Sequence, residues 1–460
     1  MVSKSGDQFF VGVDVGTTSV KVCAFDGTGK MVTESIEAYP LDHPEPGAAT
    51  QSPRKILASC GRALQRTVAE TPGKIAAIGL SCPMHSVLLY NENEGFDDTI
   101  YTWADNRGQA VMDQLSPELR ERLHYLTGTP VHPMSPLVKI RWLMEFRPEK
   151  MAWATHIYGL KELLTSAWAT ETLLDEQLAS ATGLYDTERG QWCPEAQLAA
   201  VPVPKTAFEQ NGWKFQLATV KPATHRLHWR PEIAEAFGVT DVPLFLGGSD
   251  GCLANLGSGI TEPGQVAVTI GTSAAVRATH RTARVDPARK LFNYRIDART
   301  FAIGGASNNG GKVIEYWQQL LRADFPDVAS FIDAAFTVKK ADCPVLEPYL
   351  YGERAPLWDA TASGALRGLR GHHRPAHVAR AVLEGVTDNV AAILHDLEAA
   401  VGEAKVIEAS GGFTRSPEWV ALLGERSGRE VVIADTPQAS AFGAALVAKR
   451  GLLLSNLENL

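Results

Sequence analysis

No uninterrupted apolar run in this sequence reaches the ~18 residues that a membrane span needs. The opening MVSKSGDQFF leads into a strand-like segment without an apolar leader. Neither a membrane helix nor a secretory route is expected from this, and the cytoplasm is the expected location. Cysteine is sparse and dispersed: Cys23, Cys60, Cys82, Cys193, Cys252 and Cys343 show no Cys-x-x-Cys spacing, so neither a zinc site nor a disulfide framework is suggested. A basic excess is missing as well. Lys and Arg number 44 against 52 Asp and Glu, a net charge of −8, with no Lys/Arg stripe, so nucleic acid is not an expected partner. What remains is an ordinary globular composition, 45% hydrophobic and 21% charged, which excludes a disordered chain. At 460 residues the chain exceeds what one core usually supports, so two domains are expected, over 1–245 and 246–460.

The stretch Phe10–Asp26 organises the rest. It runs apolar through Phe10, Val11, Val13 and Val15, breaks at Gly16-Thr17-Thr18-Ser19, and resumes with Val20, Val22 and Ala24, alternating with Lys21. That is the pattern of a hairpin with a polar tip. An Asp in the first strand (Asp14), a Gly that admits close approach, and hydroxyls with turn amides are what a phosphate–metal site requires; a plain turn is the alternative. Gln265–Arg277 repeats the design around Gly271-Thr272-Ser273. Gly16 and Gly271 lie 255 positions apart (271 − 16), too far for a solenoid repeat and suited to a duplicated domain.

Three other segments place chemistry where strands end. Thr50-Gln-Ser-Pro53 reads as the entry to a helix over about Arg54–Glu70, and the apolar run from Ile75 delivers Pro83-Met84-His85-Ser86 to the carboxyl end of a buried parallel strand, where ligands collect in α/β sheets. Ile100-Tyr-Thr-Trp-Ala-Asp-Asn-Arg gathers Trp103, Asp105 and Arg107, which would suit a polyhydroxyl ligand or a surface salt bridge. A Pro-rich loop with His132 leads into a helix near Pro136. A strand over Val242–Leu246 ends in Gly247-Gly248-Ser249-Asp250-Gly251 before a helix over Cys252–Leu256. Asp250 reads either as a helix N-cap or as a carboxylate whose small neighbours give access to a substrate hydroxyl. Further on, Gly304–Gly311 reads as a Gly-rich turn feeding a helix that carries Val313, Ile314 and Trp317. Lys405–Trp419 reads as strand, Gly411-Gly412 tip and helix, and Val201-Pro-Val-Pro as irregular.

Together these motifs resemble the FGGY carbohydrate kinases of the actin-like ATPase superfamily, in family order from Val11 to Ala448. Met134, Pro136, Lys139, Ile140, Trp142, Leu143 and Glu145 follow the family's first signature, from which Phe146 departs in a way expected to alter packing only. His377, Val378, Ala381, Val382, Leu383 and Glu384 follow the second. The resemblance implies an α/β fold of two actin-like (ribonuclease H-like) domains, with mixed sheets flanked by helices and a catalytic cleft between them, joined through the small-residue helix at Ala441. It implies ATP, held by Gly271, Thr272, Ser273, Gly310, Gly311, Gly411, Gly412, Phe413 and Ser416, with Gly16, Thr17, Thr18, Ser19 and Lys21 at its phosphates. It also implies Mg²⁺ near Asp14 and Asp250, Asp250 as general base, and a small sugar or sugar acid bound by Met84, His85, Asp105, Arg107, His132 and Asp250. The segments around His85, Asp105 and His132 look most like gluconokinases, and Arg107, His85 and His132 could together face a carboxylate. D-xylulose, or another polyol or ketose, is the runner-up. An ATP-driven switch without acceptor is the alternative class, and the cluster Met84, His85, Asp105 and Arg107 argues against it. Oligomeric state is not readable, and a homodimer stays open.

Overall fold

In the computed structural model, which describes residues 8–201, 215–283, 286, 288–434, 436 and 438–458, the run around Gly16 forms antiparallel strands β1 (Gln8–Val15) and β2 (Ser19–Phe25), with β3 (Met31–Ala38) beside β2. Ser52 then caps helix α1 (Pro53–Glu70) by accepting from the Lys55 N–H, and Pro53 takes the first helical position, where its missing N–H costs nothing. Ile56, Cys60 and Leu64 bury one face of α1. Strand β4 (Lys74–Cys82) is buried almost throughout and pairs parallel with β1, which sets Ser81 opposite Asp14. Helices α2 (Pro136–Phe146), α3 (Leu160–Trp168) and α4 (Glu176–Ser180) follow, then β5 (Arg226–Leu227), β6 (Leu244–Ser249) and α5 (Asp250–Gly257). The first sheet has the order β5-β6-β4-β1-β2-β3, with β6 parallel to β4.

Two boundaries differ from expectation for a shared reason. β6 runs to Ser249 rather than stopping at Leu246, because Gly247 (φ +69°) carries the strand through a register break opposite Leu80. A Cβ on Gly247 would lie 1.7 Å from the Leu80 carbonyl oxygen, so only glycine fits there. The helix then starts at Asp250 instead of Cys252, because the Ser249 side chain caps it by accepting from the Cys252 N–H.

The second sheet repeats the first. Strands β7 (Gln265–Ile270) and β8 (Ala274–His280) form the second hairpin, followed by β9 (Phe292–Asp297) and β10 (Thr300–Ser307). Gly304 and Gly305, expected in a turn, lie within β10; a Cβ on Gly304 would lie 2.0 Å from the Val276 carbonyl oxygen, which is why that strand position is glycine. Helices α6 (Gly311–Leu320) and α7 (Pro375–Val401) precede β11 (Val406–Ser410), α8 (Pro417–Ser427) and β12 (Val431–Ile433). The order is β9-β10-β8-β7-β11-β12, with β11 parallel to β7 as β4 is to β1. The duplication extends to side chains. Ser81 Oγ donates to Asp14 Oδ1 at 2.7 Å, and at the equivalent register the Thr269 and Ser410 hydroxyls lie 2.9 Å apart.

The last helix, α9 (Ala439–Glu458), returns to the first sheet. A Cβ on Gly12 would lie 1.8 Å from the Ala441 carbonyl oxygen, and one on Gly79 2.2 Å from that of Ala444, so the helix backbone lies directly on the strands. The small-residue stripe thus packs closely, as its composition predicts. The chain divides into two compact units. Unit 1 takes the described residues up to Gly259, Tyr294–Phe301 and those from Thr436; unit 2 takes Ile260–Asn293 and the stretch from Ala302 to just before Thr436. The expected boundary at 245/246 falls inside β6, a strand of unit 1. Of the irregular Val201–Pro204 stretch, 202–204 lie outside the described residues. Among the described residues no helix is long and apolar enough to cross a membrane.

Candidate functional site

In unit 1 the parallel strands β1, β4 and β6 are neighbours, so Asp14, the Met84-His85 turn and Asp250 all sit at carboxyl ends of adjacent strands. Burial holds the Asp14 carboxyl above its ordinary range, offset in part by the Ser81 hydroxyl and by Lys21 across the β1–β2 ladder. Asp250 is not the helix cap, since Ser249 performs that task; its Oδ1 accepts from the Gly251 N–H at 2.7 Å. The N-cap reading of Asp250 is therefore excluded. The glycines before it serve packing rather than substrate access, because a Cβ on Gly248 would lie 2.1 Å from Gln177 Oε1.

The first hairpin tip is braced from three sides. Gly16 N–H donates to the Ser19 carbonyl at 2.8 Å, Tyr39 OH donates to the Gly16 carbonyl at 2.6 Å, and Gln51 Nε2 donates to the Thr17 carbonyl at 2.6 Å. Trp103 donates its indole N–H to Thr17 Oγ1 at 3.0 Å, so this Trp, expected as a flat face for sugar, anchors the tip. Thr18 is exposed, and Ser19 is half-buried. Lys21 donates to Gln438 Oε1 at 2.9 Å. Tyr39 and Gln51 were not recognisable beforehand, since each reads as the end of an element with nothing local to link it to Gly16.

His85 is buried with φ +66°; its Nδ1 lies 2.7 Å from the Ala181 carbonyl and its Nε2 3.3 Å from Tyr294 OH. A ring nitrogen facing a carbonyl must carry the proton, so neutral His85 presents Nε2 as the acceptor. Met84 is half-buried against the unit 1 core. Asp105 and Arg107 pair with each other: Nε and Nη2 of Arg107 reach the two Asp105 oxygens at 3.1 and 2.6 Å, and Nη1 reaches Glu45 at 2.5 Å. The guanidinium also lies 4.5 Å from the Trp142 ring centre. Three of its five N–H donors are thus engaged within the protein, which leaves two for a ligand. His132 is buried, its Nδ1 accepting from the Met134 N–H, which makes it a brace of its own loop. Lys139 is buried too, donating to the Pro133 and Met134 carbonyls, and burial pushes its amine down to about 7. Phe146 stays 43% exposed, stacked on Trp142, so it alters the surface rather than the packing of the sheet.

In unit 2 a cavity of about 530 Å³ is lined by Gly271, Thr272, Gly311, Ile314, Gly412, Phe413, Ser416 and Trp419, among others. A Cβ on Gly412 would meet nothing within 4 Å. Phe413 is buried edge-on to Trp419, and Ser416 caps α8. Gly411 (φ +99°) is instead needed where its backbone approaches Ile270, and Gly310 where it packs on Ser273. The first amides of α6 are already used, Gly311 N–H by the Gly271 carbonyl and Lys312 N–H by that of Thr272, so the helix start binds the hairpin tip rather than standing open to phosphate. Beneath this turn the buried Glu353 carboxylate accepts from Ser307 Oγ, the Asn308 N–H, Asn309 Nδ2 and Asn389 Nδ2. Lys312 lies 4.0 Å from the Tyr351 ring centre, its amine pushed down to about 8, mainly by burial.

A nucleotide-sized cavity on one Gly-Thr-Ser hairpin and a pair of strand-end carboxylates beside the other are the parts of a phosphoryl-transfer enzyme. Residues 9–257 match the N-terminal domain of the FGGY family of carbohydrate kinases, and residues 266–452 match its C-terminal domain. A gluconokinase of Bacillus subtilis (strain 168) is 34% identical over 455 residues, 96% of this chain and 87% of that protein. Two crystal structures from Lactobacillus acidophilus, a gluconate kinase and a ligand-bound xylulose kinase, each superpose with a TM-score of 0.90 over 97% of this chain and 90% of theirs, at 28% and 29% identity. Both domains of one family thus match in order over nearly all of the sequence, and the chain belongs to the FGGY family of carbohydrate kinases, as an ATP-dependent sugar kinase.

Proposed function

We propose that the chain phosphorylates D-gluconate to 6-phospho-D-gluconate, with Asp250 as general base. The observation that carries the assignment of the base is the place of Asp250 at the carboxyl end of β6, one residue past Ser249, which supplies the N-cap of α5. The choice of gluconate rests on the gluconokinase relatives. In the transfer, Asp250 takes the proton of the acceptor hydroxyl as its oxygen bonds to the γ-phosphorus; the bond from phosphorus to the β–γ bridging oxygen breaks, and ADP leaves. The Thr17, Thr18 and Ser19 hydroxyls donate to phosphate oxygens. Mg²⁺ takes one or two carboxylates beside phosphate and water. Asp14 and Asp250 fit that donor set, and no cluster of three or more His, Cys, Asp or Glu suited to a metal occurs among the described residues. When bound, the ion would neutralise phosphate charge.

One observation favours a neutral acceptor such as D-xylulose instead: three of the five Arg107 N–H donors are already engaged by Asp105 and Glu45. Coupled ADP release over gluconate, xylulose, ribulose, glycerol and fuculose decides between them. A higher kcat/KM for xylulose than for gluconate would replace the gluconate assignment, and ATP turnover indifferent to every acceptor would remove both.

A further inference from the structure

The catalytic carboxylate needs a rigid support, yet β6 breaks register with β4 between Phe245 and Gly248, just before Asp250. The break is filled from below by side chains that have no part in the transfer described above. Lys161 of α3 and Asp175, both with fully buried side chains, lie 3.4 Å apart. Lys161 Nζ donates to the carbonyls of Leu246 at 2.6 Å, Leu80 at 3.3 Å and Gly248 at 3.4 Å, joining β6 to β4 where their ladder is interrupted. Asp175 Oδ1 accepts from the Gln177 and Leu178 N–H groups and so caps α4. From α4, Gln177 Oε1 accepts from the Ser249 N–H at 3.0 Å, fixing the residue that caps α5 and precedes Asp250. The next residue but three, Ala181, supplies the carbonyl that holds His85 Nδ1.

We propose that Gln177, seated on the buried Lys161–Asp175 pair, is the positioning residue for Asp250, and that this support sets the turnover rate without touching the nucleotide. The inference rests on the reading of Asp250 as the base. Placement matters at this scale, since a shift of about 1 Å in a reacting group can cost roughly 10²-fold in rate. A buried ammonium suits the role better than an apolar side chain would, because it satisfies several carbonyls at once.

The test compares Gln177→Leu with Thr165→Val. Thr165 bonds the Leu173 carbonyl in the same core but reaches neither β6 nor α5 in this hydrogen-bond network, so it reports loss of stability alone. Turnover is measured well below the melting temperature with ATP and the acceptor that performs best in the panel. Gln177→Leu should lower kcat about tenfold or more with KM for ATP within about twofold, while Thr165→Val keeps kcat. The double variant Lys161→Met/Asp175→Asn removes both charges together and keeps a capping side chain, and it should show the same split. A kcat loss below threefold in Gln177→Leu, or one that Thr165→Val reproduces, overturns the proposal. Asp250→Asn run alongside separates the two failures: if it retains turnover, the base assignment falls and the positioning role with it, whereas an inactive Asp250→Asn beside an active Gln177→Leu sinks the positioning role alone.

Discussion

Asp250→Asn keeps the size of the side chain and leaves the Ser249 cap of α5 untouched, so the melting temperature should hardly change. Loss of a proton acceptor should still lower kcat by about 10²-fold or more with the nucleotide Kd unaltered. A variant that kept a tenth of wild-type turnover would rule Asp250 out as the base. Arg107→Ala belongs to another class. It leaves the buried Asp105 without its bidentate partner and strips a cation from Trp142, so its main effect should be on stability, about 1.5–3 kcal/mol by the value of charged hydrogen bonds. A selective rise in KM for gluconate at unchanged melting temperature would instead restore Arg107 as a substrate ligand. Glu162 offers a pH signature. Burial raises its carboxyl to about 7 from an unfolded value of about 4.5, so the folded chain holds the extra proton between those values. The stability this contributes is complete below pH ~4.5 and is lost as pH rises through ~7. Glu162→Gln, which can still accept from the Gly159 N–H, should flatten the fall in melting temperature between pH 5 and 8, a difference of the order of 3 kcal/mol; parallel curves for variant and wild type would show that Glu162 is not the titrating group.

At the scale of elements, two glycine-to-alanine changes should act in opposite ways. Gly79 lies in β4 under α9, and a Cβ there would meet the Ala444 backbone, so Gly79→Ala should destabilise by at least the 1–3 kcal/mol typical of overpacking. Gly412 lines the unit 2 cavity with nothing near its Cβ position and an unstrained backbone, so Gly412→Ala should keep its melting temperature. If this cavity holds the nucleotide, as its lining suggests, the methyl group enters that space and KM for ATP should rise about tenfold, as an interaction worth ~1.4 kcal/mol is lost. Equal KM values in variant and wild type would move the nucleotide away from Gly412. Sequence pattern alone places Gly412 in a glycine tip and leaves Gly79 as one residue of an apolar strand run. The difference is visible only once α9 is seen to lie on β4.

At the scale of the molecule, each unit has its own hydrophobic core. A non-hydrolysable ATP analogue should therefore slow amide exchange at Gly311–Glu315 and Gly412–Trp419 in unit 2, whereas the acceptor alone should slow it at 82–87 and 248–252 in unit 1. Uniform protection by either ligand would contradict this assignment of roles.

Local chemistry was enough to read the two hairpins, the helices from Ser52 and from near Pro136, the strand before Met84 and the Gly-Gly tip after β11, because alternation, capping residues and glycine act over a few residues. The duplication was legible as well, since it lies in the order of motifs. Tertiary structure decided which polar groups bond to which. Arg107 turned inward because Asp105, Glu45 and Trp142 converge on it from separate segments. Trp103 became an anchor of Thr17, and Gly247 and Gly248 became the fit of β6 against Leu80 and Gln177. These outcomes depend on residues distant in sequence whose proximity follows from strand order and register, and no pattern along the chain encodes a hydrogen bond between side chains that only the fold brings within 3 Å.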